Sequence, residues 1–206
     1  MIFIGITGGV GAGKSEILNH ILTKEGARVM LADEIAHELM EPGQEAYLEI
    51  CKVFADEDIF MKDNPAFDRG KLAQVIFSDD NKRKKLNAIV HPAVKNYVRK
   101  QYQLEKERGT IQVLVLEAAL LIEGHFDEIC DELWYIYTSE ENRRARLKAS
   151  RGYSDEKIDG IFKSQLQEEE FRKATQVVID NNNTVEETFR QIDNALEDAL
   201  RRYEHE

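Results

Sequence analysis

The sequence predicts an α/β fold in which helices cover a central five-stranded parallel sheet. Two observations carry this. Five short apolar runs recur along the 206 residues, separated by helical stretches. They are rich in β-branched and aromatic residues and lack polar–apolar alternation, as strands buried on both faces of a parallel sheet do.

The first strand is Ile2-Phe3-Ile4-Gly5-Ile6, and a helical pattern with Ile17, Leu18, Ile21 and Leu22 follows it. Between them stand Gly8-Gly9-Val10-Gly11-Ala12-Gly13-Lys14-Ser15. Gly-x-x-x-x-Gly-Lys-Ser between a strand and a helix is the Walker A phosphate loop. Its glycines let the backbone turn tightly with N–H groups facing inward, towards an anion. The helix N-terminus behind the loop adds about half a positive charge. Lys14 is expected to reach the β- and γ-phosphates, and the Ser15 hydroxyl to coordinate Mg²⁺. Gly9 to Gly13 and Glu16 complete the expected nucleotide site, so the chain is expected to bind a nucleoside triphosphate.

Ala27 to Ala32 reads as the second strand, in a central position, and Asp33 to Met40 as a helix. The next stretch, about seventy residues, is longer than any ordinary connection and shows no strand. Its patterns are helical: Tyr47, Ile50, Cys51 and Phe54, then Leu72, Val75 and Ile76, then Leu86, Ile89 and Val90. His91-Pro92 interrupts the last run, with Pro92 suited to the first turn of a new helix. Such an insertion suggests a region for a second substrate.

Ile111 to Leu116 is the third strand and ends in a single acid, Glu117. Glu132 to Thr138 is the fourth, and Val177-Val178-Ile179 the fifth. The last helix carries Val185, Phe189, Ile192, Leu196, Ala199 and Tyr203 at helical spacing, a stripe that should dock on the sheet. The charged tail after Leu200 is expected to fray.

Composition excludes several classes. A net charge of −11 opposes a nucleic-acid partner. No apolar stretch approaches the ~20 residues that span a bilayer, and the N-terminal apolar run is a strand rather than a signal peptide. Cys51 and Cys130 lack the spacing of a metal site and read as reduced thiols, which suits a cytoplasmic protein. No obligatory protein partner is evident. Two basic clusters stand out against the acidic background: Lys82-Arg83-Lys84-Lys85, read as a solvated helix face, and Arg143, Arg144, Arg146, Lys148 and Arg151.

The class of phosphate-loop protein follows by elimination. A regulatory GTPase needs Asn/Thr-Lys-x-Asp and Asp-x-x-Gly, and neither string occurs. A motor ATPase needs a longer chain and a Walker B Asp-Glu pair. A small kinase remains, in which arginines of a lid close over the phosphates. Arg146 and Arg151 suit that task, since the planar guanidinium stabilises charge on a transferring phosphoryl group. A solvated helix surface is the alternative for this cluster.

The residues resemble the dephospho-coenzyme A kinase family over nearly the whole chain. The phosphate loop is followed by Ala32-Asp33-Glu34-Ile35-Ala36, Glu41-Pro42-Gly43, and Asp68-Arg69 with Leu72 and Val75-Ile76-Phe77. Leu86 to Pro92, Leu120-Leu121-Ile122-Glu123, Arg146-Leu147 with Arg151, Gln165, and Val178-Ile179-Asp180-Asn181 complete the set. The chain departs from the family pattern at Glu16, Ala118-Ala119, Gly160, Phe171 and Thr175-Gln176.

The resemblance implies transfer of the γ-phosphoryl of ATP, with Mg²⁺, to the ribose 3′-hydroxyl of dephospho-coenzyme A. A sugar hydroxyl is a poor nucleophile and needs a proton acceptor. Asp33, just past the carboxyl end of a strand, is the candidate base, with a helix N-cap as its alternative. Lys14 and Arg146 are the other candidate catalytic residues. Arg69 and His91 would line the acceptor side, though His91 equally suits capping or packing ahead of Pro92. Arg151 and Asn181 join the nucleotide site, and Glu117 would orient Mg²⁺ or act as a structural acid.

The expected organisation is one phosphate-loop kinase domain over 1–206. Its three-layer core covers about 1–45, 108–138 and 172–206, with a helical acceptor region over about 46–107 and a lid over about 139–171. Two other readings stand beside it: a kinase of another small acceptor such as a nucleoside monophosphate, and a non-catalytic ATP-binding regulator. A pure binder has no need of a proton acceptor, which weighs against the second.

Overall fold

The structure, a computed structural model, describes residues 1–203. The chain divides into two compact units, one made of Met1–Met30 and the chain from Tyr102 onward, the other of Leu31–Gln101.

The first unit holds the sheet. Its strands are β1 (Ile2–Thr7), β2 (Ala27–Leu31), β5 (Val113–Glu117), β6 (Glu132–Tyr137) and β7 (Val177–Asp180), in the order β2-β5-β1-β6-β7. The sheet is parallel and flanked by helices, as the unalternating apolar runs predict. Every residue of β1 is buried, and its register sets Ile6 beside Glu117 of β5 and Trp134 of β6. One prediction is corrected. β2 is an edge strand and not a central one, because β5, far away in sequence, inserts between it and β1.

Helix α1 (Lys14–Leu22) follows β1, and α9 (Val185–Tyr203) closes the chain. Ile192, Leu196 and Ala199 of the predicted stripe are buried, while His20 of α1 stacks on Phe189 with ring centroids 3.9 Å apart. Of the charged tail beyond Leu200, which is expected to fray, residues 201–203 are helical. Helix α9 continues to Tyr203, and Arg202 donates from Nε to Glu132 Oε1 at 3.2 Å. Glu132 is itself 7% exposed and accepts from Trp134 Nε1 at 2.8 Å. A buried carboxylate that needs a cation thus holds the last turn. The final three residues of that tail lie outside the described residues.

The second unit contains α2 (Ala32–Leu39), α3 (Tyr47–Val53), a hairpin of β3 (Phe60–Met61) and β4 (Asn64–Phe67), α4 (Arg69–Ser78) and most of α5 (Asp80–Arg108). Ile50, Phe54, Ile59, Leu72 and Val98 are among its buried residues. The region is mainly helical as predicted, but the hairpin is a correction. Two strands this short offer no alternation to read, and Pro65 inside β4 argues against a strand in sequence. The hairpin is held by the Phe67 ring, which packs 5.4 Å from Phe60 and 5.1 Å from Tyr47.

A further correction concerns His91-Pro92. No helix ends there: Pro92 lies inside α5. Proline has no N–H to give the Ala88 carbonyl, a cost of about 3 kcal/mol in a helix interior. Leu86 and Val90 before it, and Ala93, Val94 and Val98 after it, are all buried and offset that loss.

Candidate active site

The phosphate loop joins β1 to α1 at the carboxyl end of the sheet, where open α/β folds collect ligands. Two of its glycines are required sterically. At Gly8, a Cβ would stand 2.7 Å from the Ile136 carbonyl oxygen. Gly13, the N-cap of α1, has φ 86° and ψ 20°, a left-handed conformation that other residues adopt only with strain. The loop also braces itself, with the Ala12 N–H donating to Gly9 O at 3.1 Å.

Lys14 is the first residue of α1. Its Nζ donates to the Gly8 carbonyl at 2.8 Å and lies 3.5 Å from Glu117 Oε1, with both side chains largely buried. The sheet register makes this pair: Glu117 ends β5 beside Ile6, so its carboxylate emerges next to the loop. Ser15 and Glu16 follow in the first turn of α1, both exposed.

The Ala12 carbonyl anchors the other side of the loop. It accepts from Asn181 Nδ2 at 2.7 Å, from the Thr138 hydroxyl at 3.1 Å and from Arg146 Nη1 at 3.3 Å. Arg146 Nη2 also donates to the Asn181 carbonyl at 2.7 Å, and Thr188 donates to Asn181 Oδ1 at 2.9 Å. Thr138 directly follows β6 and Asn181 directly follows β7, so the ends of two strands meet at one carbonyl of the loop that follows β1. Arg146 and Asn181, both expected at the nucleotide site, therefore stand against the phosphate loop. Thr138 was not anticipated; it is an ordinary strand-end threonine in sequence.

The remaining arginines diverge. They lie on α6 (Glu140–Arg151), which is followed by α7 (Asp155–Lys163) and α8 (Glu168–Ala174). Arg144 pairs with Glu140, Asp155 and Asp159, hydrogen bonds that raise its pKa. Arg151 is exposed near the Tyr153 ring, with its guanidinium 5.9 Å from the centroid and no contact to the loop among those described. Arg143, which sequence did not separate from its neighbours, turns onto the loop instead. Its Nε donates to the Val10 carbonyl at 2.9 Å, and burial lowers its pKa. Four basic residues within two turns look alike in sequence, and only the helix's rotational setting tells them apart.

In the second unit, Asp33 lies in the first turn of α2 and is exposed. It is not the N-cap. Leu31 occupies that position, with no side-chain hydrogen bond. Arg69 opens α4, whose cap is Asp68, accepting from Gly70 N at 2.9 Å. Its Nη2 stands 3.8 Å from Glu41 Oε1. His91 sits within α5, which rules out the capping reading, and burial lowers its pKa.

A family model described as dephospho-CoA kinase matches residues 2–187. The chain belongs to the dephospho-CoA kinase family. A protein of Geobacter sulfurreducens with that name is 39% identical over 193 residues, 94% of this chain and 96% of the relative. One from Shouchella clausii is 36% identical with the same coverage of both. A crystal structure from Thermus thermophilus superposes with a TM-score of 0.79 at 29% identity, covering 97% of each chain. Within this dephospho-CoA kinase family member, two departures from the usual pattern have packing roles. Phe171 stacks on Tyr135 at 4.7 Å, and burial raises the tyrosine pKa to about 12. Gln176 accepts from the Leu133 N–H at 2.7 Å through its side chain. Gly160 has open space around it.

Proposed function

We propose that the chain transfers the γ-phosphoryl group of ATP to the ribose 3′-hydroxyl of dephospho-coenzyme A, giving coenzyme A and ADP. The observation that carries this reading is the Lys14–Glu117 pair beside a formed phosphate loop, in a chain of this family.

The loop amides and Lys14 hold the β- and γ-phosphates, and Lys14 offsets the charge that shifts towards the leaving oxygen. Asp33 takes the proton of the 3′-hydroxyl as that oxygen bonds to the γ-phosphorus and the bond to the β-phosphate oxygen breaks. Arg146 stabilises the transferring group, Arg151 and Asn181 support the nucleotide, and Arg69 and His91 serve the acceptor. The Ser15 hydroxyl and the Glu117 carboxylate are hard oxygen donors of the kind Mg²⁺ takes, and both adjoin Lys14 in sequence or space. Mg²⁺ would neutralise phosphate charge there. Residues 46–107 then form the acceptor region and 139–171 the lid of one kinase domain. No helix among the described residues is long and apolar enough to cross a membrane, in keeping with a cytoplasmic enzyme.

The test is direct. The protein is mixed with ATP, Mg²⁺ and dephospho-coenzyme A, and the product is weighed by mass spectrometry. Acceptor-dependent ADP release with a product of coenzyme A mass is expected. Transfer only to a nucleoside monophosphate in a parallel acceptor panel, or no transfer at all, would overturn the reading.

A further inference from the structure

Val10, on the outer turn of the phosphate loop, has both of its backbone polar groups held by side chains from beyond β6. Its carbonyl accepts from Arg143 Nε at 2.9 Å, and its N–H donates to Gln165 Oε1 at 3.3 Å. The same Gln165 oxygen accepts from Arg143 Nη2, which closes the three residues into a ring. The Arg143 guanidinium carbon lies over the Phe162 ring, 4.3 Å from its centroid. A Cβ at Gly9 would collide with that guanidinium, so glycine there admits the arginine to the loop backbone.

Each part of this bracket needs the others. Arginine's planar fork makes two directed bonds to two different acceptors while its charge sits over an aromatic ring, which a lysine cannot do with the same geometry. Gln165 supplies an acceptor that a hydrophobic residue of equal size would lack. The other arginines of α6 are placed elsewhere, Arg144 on acidic side chains, Arg146 on the Ala12 and Asn181 carbonyls and Arg151 near the Tyr153 ring.

We infer that Arg143 and Gln165 are positioning residues that fix the Val10 peptide, so that the shape of the phosphate loop depends on the docking of α6 and the end of α7. A peptide held from both sides has its loop neighbours pre-set for the phosphates, and a displacement near 1 Å costs about 10²-fold in rate. This rests on the phosphoryl-transfer reading above, but its first test does not require the acceptor.

Hydrogen exchange of the loop peptide is compared in the native protein, Arg143→Ala, Arg143→Lys and Gln165→Leu, each without nucleotide. Faster loop exchange is expected in all three variants, with a comparable effect of Arg143→Ala alone and of Arg143→Ala combined with Gln165→Leu, since one bracket is lost either way. Under turnover, kcat should fall on the order of tenfold or more while KM for ATP moves less, with lysine failing to rescue. A purely structural role would lower the melting temperature without that split. Unchanged loop exchange, additive effects, or full rescue by lysine would overturn the inference. Altered exchange in a protein that transfers no phosphate would leave the bracket standing and remove the kinase reading instead. Gln165→Leu, which leaves the Arg143 bond to the Val10 carbonyl in place, provides a readable variant should Arg143→Ala fold poorly.

Discussion

Lys14 Nζ stands 3.5 Å from Glu117 Oε1, and these two side chains are only 14% and 15% exposed. The carboxylate balances the ammonium in a partly desolvated place, where an unpaired charge would be costly. A triphosphate carries more charge than Glu117 and competes for the same ammonium.

Lys14→Ala should therefore lower turnover by on the order of 10²–10³, as loss of a charge-stabilising group at a transferring phosphoryl does. The fold should persist at some cost in stability, because the substitution disturbs the charge balance of Glu117 but removes no residue of the apolar core. Steady-state rates beside circular dichroism check both halves. Near-normal turnover would remove the assignment.

Asp33→Asn should slow single-turnover transfer by on the order of 10²–10⁴, the usual yield of a positioned base. Stability should change by less than about 1 kcal/mol, since Asp33 is exposed and contributes to α2 only as a first-turn acid. ATP affinity should hardly move. A large drop in melting temperature with an intact rate would place the base elsewhere.

Segment 139–167 should gain hydrogen-exchange protection when ATP binds. Repulsion among its arginines is not the reason, because Arg144 and Lys148 are already paired with Asp155. The reason is that α6 meets the nucleotide loop through hydrogen bonds from Arg143 and Arg146, which phosphate contacts would reinforce. Equal protection with and without ATP would count against a lid.

Arg202→Met should destabilise the protein by about 1–3 kcal/mol, because it leaves the buried Glu132 carboxylate without its cation. Glu132→Gln in that background should recover part of the loss, as the amide still accepts from Trp134. Denaturant melts followed by the fluorescence of Trp134, the single tryptophan, would measure both. Equal stability of the native protein and Arg202→Met would refute the contact's importance.

What could be read from the chain depended on how local its cause was. The phosphate loop was legible because its glycines, Lys14 and Ser15 act within one turn. The apolar stripe of α9 was legible because helical period alone displays it. Asp33 could be placed after a strand, but its alternative as a cap could not be dismissed until Leu31 was found in that position. The hairpin at Phe60–Phe67 and the passage of α5 through Pro92 went against the local signals, because packing outweighed them.

Local pattern thus specified the strands of the five-stranded sheet, most helices and the anion-binding loop, since propensity and periodicity act over a few residues. Tertiary structure alone set the strand order that puts β2 at the edge and Glu117 beside Lys14. It also chose which arginine of α6 meets the loop and which meets Asp155 and Asp159. Those choices join segments more than a hundred residues apart in the case of Arg143 and Val10. Their free energy comes from burial and hydrogen bonds that exist only once the sheet has assembled.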